Sequence, residues 1–304
     1  MKVIDKKDTG YYIALGSFDG LHKGHLSLIE KCIELSKINN CNSMVFSFSN
    51  HPRTVINPDK KIEYLMNNNE KINILKNEGI DKVVLREFNK EFMELSAEGF
   101  IEKLCNEYNV KGIVVGFNYK FGHKNLGDTK LLEKLSKIYN YDLKIMEPLL
   151  FDGYPISSTR IRKAIRDGEI ECANKMLTRP YSITGKIIHG RQLGRTIGFP
   201  TANLKMNFNK IIPCIGVYYS NVKWNNKIYK GITSVGKNPT VEGKSLTIET
   251  YILDFDKEIY GDEITLYFLE RIRGEIKFNS IYELKNQLKD DEKFAQLRRI
   301  NHII

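Results

Sequence analysis

The stretch that decides the fold of the first half of the chain is residues 11–37, YYIALGSFDGLHKGHLSLIEKCIELSK. The run of apolar and aromatic residues at Tyr11–Leu15 predicts a buried strand. The segment Leu26–Lys37 predicts a helix, because one helical face gathers apolar side chains, at Leu26, Ile29, Cys32 and Ile33. A glycine-rich turn joins the two and favours a strand–turn–helix unit of an α/β sheet.

The same alternation continues through the first half of the chain. Further strands are predicted at Ser43–Phe48, Lys82–Arg86, Gly112–Val115 and Asp142–Met146. Helical patterns lie between them, at Asn69–Asn77, Ser96–Tyr108 and Asp128–Tyr139. Nearly continuous apolar strands alternating with helices predict a parallel, doubly wound α/β sheet. In such sheets ligands bind beyond the carboxyl ends of the strands.

The pattern changes after Pro180. Short strand-like runs, including Thr247–Leu253 and Ile264–Leu269, follow one another between turn signals, and no helix is predicted before Ser280–Lys289. This favours an antiparallel barrel or sandwich closed by C-terminal helices. We therefore expect two domains, residues 1–180 and residues 181–304, with the boundary near Thr178–Ser182.

The composition is that of a globular protein with a substantial core. Of the 304 residues, 41% are hydrophobic and 28% are charged, which argues against disorder. No apolar run is long enough to cross a bilayer, and residues 1–8 lack the apolar region of a signal peptide. The five cysteines are scattered and include no C-x-x-C pair, so we expect neither a disulfide framework nor a zinc site, and we expect a cytoplasmic location.

The distribution of charge suggests a polyanionic ligand. The formal net charge is +10, and the stretch Tyr181–Thr240 has nine Lys or Arg residues but no Asp or Glu. A segment without carboxylates suits either a nucleic acid or the phosphate tail of a nucleotide.

The string GSFDGLHKGH, Gly16–His25, stands at the junction of the first strand and the first helix. The amides and the positive dipole end of that helix face the expected ligand site. Glycine lets the backbone approach a phosphate, and the imidazoles of His22 and His25 can donate to charge that develops on it. Two surface histidines remain the simple alternative.

Two more strings in the first half carry groups suited to ATP and to a planar ring. Ile156–Arg162, ISSTRIR, brings hydroxyls and guanidinium groups that suit a triphosphate, or else it is the start of a basic helix. Gly116–His123, GFNYKFGH, follows the fourth strand and has aromatics that can stack on a planar ring, although core packing explains Phe117 equally well.

In the second half, the glycine-punctuated loop Gly185–Gly194 is followed by GFPTANL at Gly198–Leu204. Thr201 and Asn203 are two apart, so in an extended segment their side chains point the same way. Neutral oxygens paired in this manner suit Mg²⁺, and an ordinary turn is the alternative. Glu249 follows a region poor in carboxylates and is a candidate general base, or a surface residue.

Together these strings resemble the bacterial bifunctional riboflavin kinase/FMN adenylyltransferase family over almost the whole chain. The first half resembles the adenylyltransferase module through Gly16–His25, Gly116–Gly122 and Ser157–Arg162. The second half resembles the kinase module through Gly185–Gly194, Gly198–Leu204, Ser234–Thr240, Glu249–Phe255 and Phe268–Glu275. The resemblance implies a Rossmann-like nucleotidyltransferase domain followed by an antiparallel β-barrel kinase domain with terminal helices.

The resemblance also implies the roles of individual residues. For adenylyl transfer it implies that His22 and His25 are catalytic and that ATP is held by Gly16, Phe18, Asp19, Gly24, Ser158, Thr159 and Arg162. For the kinase it implies Glu249 as the base, Thr201 and Asn203 as Mg²⁺ ligands, and ATP contacts from Gly185, Lys186, His189, Gly190, Gly194 and Thr201. Flavin contacts are implied for Asn118, Phe121, Arg271 and Glu275. The implied substrates are riboflavin, FMN and ATP, the products FMN and FAD, and no nucleic-acid or membrane partner is expected.

Two departures and two alternatives accompany this interpretation. Many members of the family have Arg where this chain has His123–Leu126, and a basic residue is common where Pro155 stands. One alternative is therefore a riboflavin kinase whose adenylyltransferase half is degenerate. The other is a nucleic-acid-binding protein that uses a basic barrel and aromatic side chains, at Tyr218, Tyr219, Trp224 and Tyr229. The sequence leaves the oligomeric state open.

Overall fold

A computed structural model describes residues 9–59, 62–190, 193–240 and 243–300. The chain divides into two compact units, and the division along the sequence falls between Ser158 and Thr159. Each unit is built around its own sheet.

The first unit contains a five-stranded parallel sheet. Its strands are β1 (Tyr11–Leu15), β2 (Asn42–Phe48), β3 (Lys82–Arg86), β4 (Val110–Gly116) and β5 (Asp142–Met146), in the order β3-β2-β1-β4-β5. A small antiparallel pair follows, β6 (Leu150–Phe151) and β7 (Tyr154–Pro155). The predicted doubly wound sheet is confirmed. Its strand order reverses between β1 and β4, which is where such sheets bind their ligands.

Helices cover both faces of this sheet. They are α1 (Lys23–Ile38), α2 (Pro52–Ile56), α3 (Asn68–Asn77), α4 (Lys90–Glu94), α5 (Ala97–Tyr108) and α6 (Thr129–Tyr139). Successive residues of β1 point to opposite faces, so Ile13 joins the core beneath α5 and α6 while Ala14 joins the core beneath α1. The sequence predicted the four longer helices. It missed α2 and α4 because five residues are too few to display a helical period.

The second unit begins within α7 (Ser158–Asp167), continues through α8 (Ile170–Leu177), and then forms a closed antiparallel barrel. The barrel strands are β8 (Tyr181–Ile188), β9 (Thr201–Met206), β10 (Gly216–Trp224), β11 (Lys227–Thr240), β12 (Gly243–Ile252) and β13 (Glu263–Arg273). They close in the order β10-β11-β12-β9-β8-β13, which confirms the barrel. A one-turn helix, α9 (Leu193–Thr196), precedes β9, and the long helix α10 (Ile281–Gln296) follows β13.

Two local expectations differ from the structure. A helix, α9, does occur between Pro180 and Ser280, and its four residues are too few to give a periodic signal. The predicted loop Gly185–Gly194 begins as strand, because residues 185–188 belong to β8, where buried and exposed residues alternate. Within that loop Arg191 and Gln192 lie outside the described residues.

Helix α8 packs against the barrel. It buries apolar side chains, at Ile170, Ala173, Met176 and Leu177. The Asn174 side chain donates to the carbonyl of Phe268 at 2.8 Å and accepts from the backbone N–H of Tyr181 at 2.7 Å. The helix therefore belongs to the compact unit of the barrel, although it precedes the domain boundary predicted near residue 180. That boundary stays a prediction.

Candidate active sites

The turn between β1 and α1 brings the two histidines of the first motif together. His22 is the N-cap of α1, and its Nδ1 accepts a hydrogen bond from the backbone N–H of His25 at 3.3 Å. The two rings stack, with centroids 3.6 Å apart and an interplanar angle of 16°. Both imidazoles therefore lie at the N-terminus of α1, which is where an anion is favoured.

The turn that leads to these histidines has an unusual backbone. Phe18 and Leu21 have φ values of +49° and +38°, in the left-handed region that non-glycine residues rarely adopt. Both side chains are fully buried, and this burial offsets the backbone strain. The Phe18 ring lies edge-on to the ring of His25, at 5.3 Å. Because its side chain is buried, Phe18 has only its backbone to offer ATP.

Asp19 and Ser158 join two motifs that are far apart in the sequence. The buried Asp19 carboxylate accepts hydrogen bonds from the backbone N–H of Leu65 at 3.1 and 3.3 Å. The Ser158 hydroxyl donates to the Asp19 carbonyl at 2.8 Å. Thr159 and Arg162 continue α7 within the second unit. The Asp19 side chain thus stabilises the turn through its hydrogen bonds to the backbone of Leu65.

A cavity of about 180 Å³ opens beside Gly16 and Ser17. Its wall is mainly aromatic, with Phe46, Phe48, Phe88, Phe92, Phe100, Tyr119 and Phe121, and two lysines also line it, Lys120 and Lys124. Phe121 stacks on Tyr119 with centroids 5.5 Å apart. Asn118 is exposed just beyond the carboxyl end of β4. His123 bonds through Nδ1 to the carbonyl of Met93 at 2.9 Å.

The candidate kinase residues meet on two neighbouring barrel strands. Glu249 lies within β12, directly opposite Asn203 of β9. The Thr201 hydroxyl donates to Oε2 of Glu249 at 3.3 Å. Glu249 is the third residue of the strand predicted at Thr247–Leu253, and the structure likewise places it inside a strand, β12. This position puts the carboxylate next to the proposed Mg²⁺ ligands.

Two glycines of the Gly185–Gly194 segment allow close approaches around this cluster. A Cβ at Gly190 would lie 2.1 Å from Nδ2 of Asn203, so any other residue there requires the Asn203 side chain to move. A Cβ at Gly185 would lie 2.3 Å from the carbonyl oxygen of Lys205 on the paired strand β9. Lys186 is exposed, and the ring of His189 stacks on Tyr260 at 3.8 Å.

Two cavities adjoin Thr201. The larger, of about 290 Å³, is lined by Gly194, Thr201, Ser234, Glu249, Arg273 and Glu275, together with apolar side chains that include Leu284 and Leu288 of α10. The smaller, of about 80 Å³, is lined by Thr201, Ala202, Lys257 and Tyr260 among others. Thr201 therefore borders both cavities, and Glu249 lines the larger one.

Glu275 and Arg271, both expected to contact flavin, lie in different surroundings. Glu275 lines the larger cavity, whereas Arg271 is not among its lining residues. The Arg271 guanidinium donates to the carbonyl of Ile215 at 3.0 Å, and its Cδ would lie 3.0 Å from a Cβ at Gly168. The register of β13 against β10 shifts at this point, because Tyr218 pairs with Arg271 while Val217 pairs with Arg273. Such a bulge directs the two arginines to different faces, and Arg273 faces the cavity.

Sequence reasoning missed a buried ion pair in the cavity wall. Arg273 donates from Nε and Nη2 to the Asp291 carboxylate, at 3.0 and 2.7 Å. Asp291 is 1% exposed, and Gln287 also donates to it, at 3.0 Å. The pair ties α10 to β13 beside the cavity. An acidic residue on a charged helix gives no signal that would single it out.

Comparison with known proteins assigns both units. The family model described as FAD synthetase matches residues 4–160, and the one described as riboflavin kinase matches residues 177–298. A bifunctional riboflavin kinase/FMN adenylyltransferase of Listeria monocytogenes is 37% identical, covering 94% of this chain and 91% of the relative. The chain belongs to this family. Its relatives of the same name from Haemophilus influenzae and Bacillus subtilis are each 34% identical, covering 94% and 98% of this chain and 94% and 96% of the relatives.

A solved structure supports the fold of this family member. A crystal structure described as a macrolide-efflux protein from Streptococcus pneumoniae matches with a TM-score of 0.89 and 34% identity, and covers 97% of each chain. That description applies to the other protein. Within the ranges that the structure describes here, no helix has the length and apolar character needed to cross a membrane.

Proposed function

We propose that this chain phosphorylates riboflavin to FMN in its barrel and adenylylates FMN to FAD at the turn between β1 and α1. The observation that carries the proposal is the hydrogen bond to Glu249, which lines the larger barrel cavity, from Thr201, which borders both cavities. It places a carboxylate and a hydroxyl where an alcohol on one side can meet a phosphate on the other.

In the kinase step Glu249 is the general base. It takes the proton from the terminal ribityl hydroxyl of riboflavin as that oxygen attacks the γ-phosphorus of ATP, and ADP leaves. The flavin occupies the larger cavity, where Glu275 lies in the wall. ATP lies in the smaller cavity, on the side of Thr201 and Tyr260, where Arg195 also lines the wall. Catalysis here rests on positioning and electrostatics without a covalent intermediate.

The side chains near Glu249 fit Mg²⁺. Thr201 and Asn203 offer neutral oxygens, and within the described ranges no group of three or more His, Cys, Asp or Glu residues is arranged to hold a metal. Mg²⁺ accepts such a site, because it takes its remaining ligands from phosphate and water. When bound it would neutralise charge on the phosphate oxygens. Thr201 and Asn203 would orient it, and Gly190 leaves room for the Asn203 amide.

In the second step an FMN phosphate oxygen attacks the α-phosphorus of ATP, and pyrophosphate leaves. His22 and His25 donate to the charge that develops, supported by the N-terminus of α1. Ser158, whose hydroxyl donates to the carbonyl of Asp19 in the same unit, binds the triphosphate. The flavin ring occupies the aromatic cavity of the first unit, with Phe121 in its wall and Asn118 nearby.

The two alternative functions, a nucleic-acid-binding protein and a riboflavin kinase with a degenerate adenylyltransferase half, predict different behaviour. Tyr218 and Tyr219 are 0% and 2% exposed, so neither can stack on the bases of a nucleic acid. A degenerate adenylyltransferase half would make FMN and no FAD.

All five cysteines are free thiols, which supports our proposal of a reducing, cytoplasmic location.

One incubation tests the proposal. Purified protein is mixed with riboflavin, ATP and Mg²⁺, and the flavins are separated by chromatography. We expect FMN to appear first and FAD to follow. FMN alone would establish a kinase without adenylylation. Absence of both, together with RNA binding that weakens steeply with salt, would overturn the proposal.

A further inference from the structure

Lys71 is a buried lysine that neither proposed reaction uses. It lies in the second turn of α3, and only 5% of its surface is exposed. Its Nζ donates to the carbonyl oxygen of Ser17 at 2.9 Å. The Ser47 hydroxyl donates to the same carbonyl at 3.1 Å. Lysines are almost never buried unless they are paired, so this placement calls for a reason.

The carbonyl that Lys71 holds belongs to the peptide just before the left-handed residue Phe18. The orientation of that peptide helps to set the turn at Phe18, whose φ is +49°. The Phe18 ring in turn packs edge-on against His25, at 5.3 Å. A continuous series of contacts therefore leads from the Lys71 ammonium through Ser17 and Phe18 to a proposed catalytic imidazole.

Three elements contribute polar or charged groups near Lys71: the β1–α1 turn, β2 and α3 itself. From the β1–α1 turn, Asp19 is the acidic group whose charge favours the ammonium. From β2, Ser47 presents a neutral hydroxyl, and on α3 itself Glu70 accepts from the backbone N–H of Asn67 at 3.0 Å. Burial outweighs the attraction of Asp19 and lowers the pKa of Lys71 to about 8.

The direction of the shift means that the positive charge of Lys71, taken by itself, opposes folding. A lysine whose pKa is lower in the folded protein than in the unfolded chain destabilises the fold while it is charged. The cost is complete below about pH 8 and disappears as the pH rises towards the unfolded value near 10.5. Below about pH 8 the folded protein therefore keeps a charged ammonium buried against the Ser17 carbonyl.

We propose that Lys71 is a positioning residue for adenylyl transfer: its ammonium holds the Ser17 carbonyl and thereby keeps the turn and the His25 ring in place for the phosphates of ATP. This inference rests on the proposed site at His22 and His25. A charged donor makes a stronger hydrogen bond to a carbonyl than a neutral one, so the turn loosens when Lys71 loses its proton.

The test compares Lys71→Met and Lys71→Arg with the parent. The control is Lys76→Met, which removes an exposed lysine from the last turn of the same helix. For each protein kcat/KM for adenylylation of supplied FMN is measured from pH 6 to 10, because that ratio reports groups of the free enzyme. Phosphorylation of riboflavin by the same preparation reports the state of the barrel.

We expect parent adenylylation to decline above about pH 8, since the pKa of Lys71 lies there. Lys71→Met should be roughly 10²-fold slower at neutral pH, the loss typical of a catalytic group displaced by about an ångström, and should lack the alkaline decline. Lys71→Arg should retain activity into the alkaline range, because guanidinium stays protonated. Lys76→Met should match the parent, and the kinase step should not change in any variant.

Two results would overturn the proposal. One is a Lys71→Met protein that adenylylates FMN within about twofold of the parent. The other is the parent's alkaline decline persisting unchanged in a folded Lys71→Met or Lys71→Arg protein. A misfolded variant leaves the parent's own pH profile as the test, and a profile that stays flat through pH 8 to 9 refutes the inference. Failure of the proposed site itself would appear separately, as full FAD formation by a His25→Ala protein.

Discussion

The Thr201 hydroxyl donates to the Glu249 carboxylate across 3.3 Å and so links β9 to β12 where two cavities of the barrel adjoin. A hydroxyl in this position can orient the carboxylate towards a flavin alcohol on one side. We propose that the same oxygen binds Mg²⁺. The first three predictions test this cluster and the separate histidine pair at the turn between β1 and α1.

Replacing Glu249 with Gln should slow riboflavin phosphorylation by ~10²–10⁴-fold, because the amide keeps the size of the side chain but cannot accept the proton. Riboflavin affinity should change far less, and adenylylation of supplied FMN should continue. Steady-state kinetics of both steps provide the measurement. The matched control is Glu263→Gln, which makes the same change at an exposed glutamate on β13. A folded Glu249→Gln protein that phosphorylates riboflavin near the parent rate would rule Glu249 out as the base.

His25→Ala should reduce FAD formation by about 10²–10³-fold, the usual cost of removing one donor to a transition-state charge. Alanine retains the backbone N–H that bonds to His22, so the start of α1 should persist. Rates of FMN formation and FAD formation, measured on one preparation, check this. Equal losses in both steps would contradict two separate sites.

Gly190→Ala should impair the kinase step and raise its Mg²⁺ requirement. The added Cβ would lie 2.1 Å from the Asn203 amide, so that side chain must move away from its place beside Glu249. Displaced metal-site residues typically cost 10–100-fold in affinity or activity. A Mg²⁺ titration of the kinase rate measures the change, with adenylylation as the internal control. An unchanged titration would remove Asn203 from the proposed metal site.

Asp291→Ala should destabilise the barrel unit and weaken riboflavin binding. Breaking a buried ion pair typically costs 3–5 kcal/mol, because it leaves the partner charge, here Arg273, uncompensated. Loss of this link frees α10, which supplies Leu284 and Leu288 to the cavity. Urea unfolding and the riboflavin KM give the readouts. Asp290→Ala, at the exposed neighbouring position, should change neither; a similar loss there would contradict a specific role for Asp291.

A fragment of residues 181–304 should fold and convert riboflavin to FMN without making FAD. A second fragment, residues 159–304, should unfold at a higher denaturant concentration, because it retains the buried apolar face of α8 and the Asn174 bonds. Urea denaturation of the two fragments compares them. Equal midpoints would mean that α8 adds nothing to the barrel, and a folded but inert 181–304 fragment would mean that the kinase site lies elsewhere.

Most of the helices and strands could be predicted from the sequence. The bounds of β1, β3 and β5 agree with the predicted strands, because short apolar runs between turn signals are a strong local pattern. The brief helices α2, α4 and α9 carry no such pattern. The sequence placed His22 and His25 at the opening of the first helix, and α1 does begin there, at Lys23, with His22 as its cap in place of the usual Ser, Thr, Asp or Asn.

Only part of each candidate site could be predicted from the sequence. The motif strings indicated Glu249 and Thr201, but their contact depends on the pairing of β9 with β12, which joins residues distant in the chain. The separation of Arg271 from Arg273 depends on a register shift against β10. Neither the strand pairing nor the register shift can be read from the local pattern of residue types.

The sequence by itself determined the order of elements, the change from α/β to barrel, and the strings that carry the chemistry, because each follows from local periodicity, turn residues and short motifs. Only the tertiary structure decided how Lys71 and Asp19 support the turn before His22, and how Asp291 secures α10. These are buried polar groups whose partners come from distant segments. A buried polar group must find its hydrogen bonds in three dimensions, and the order of residues along the chain does not say where they are.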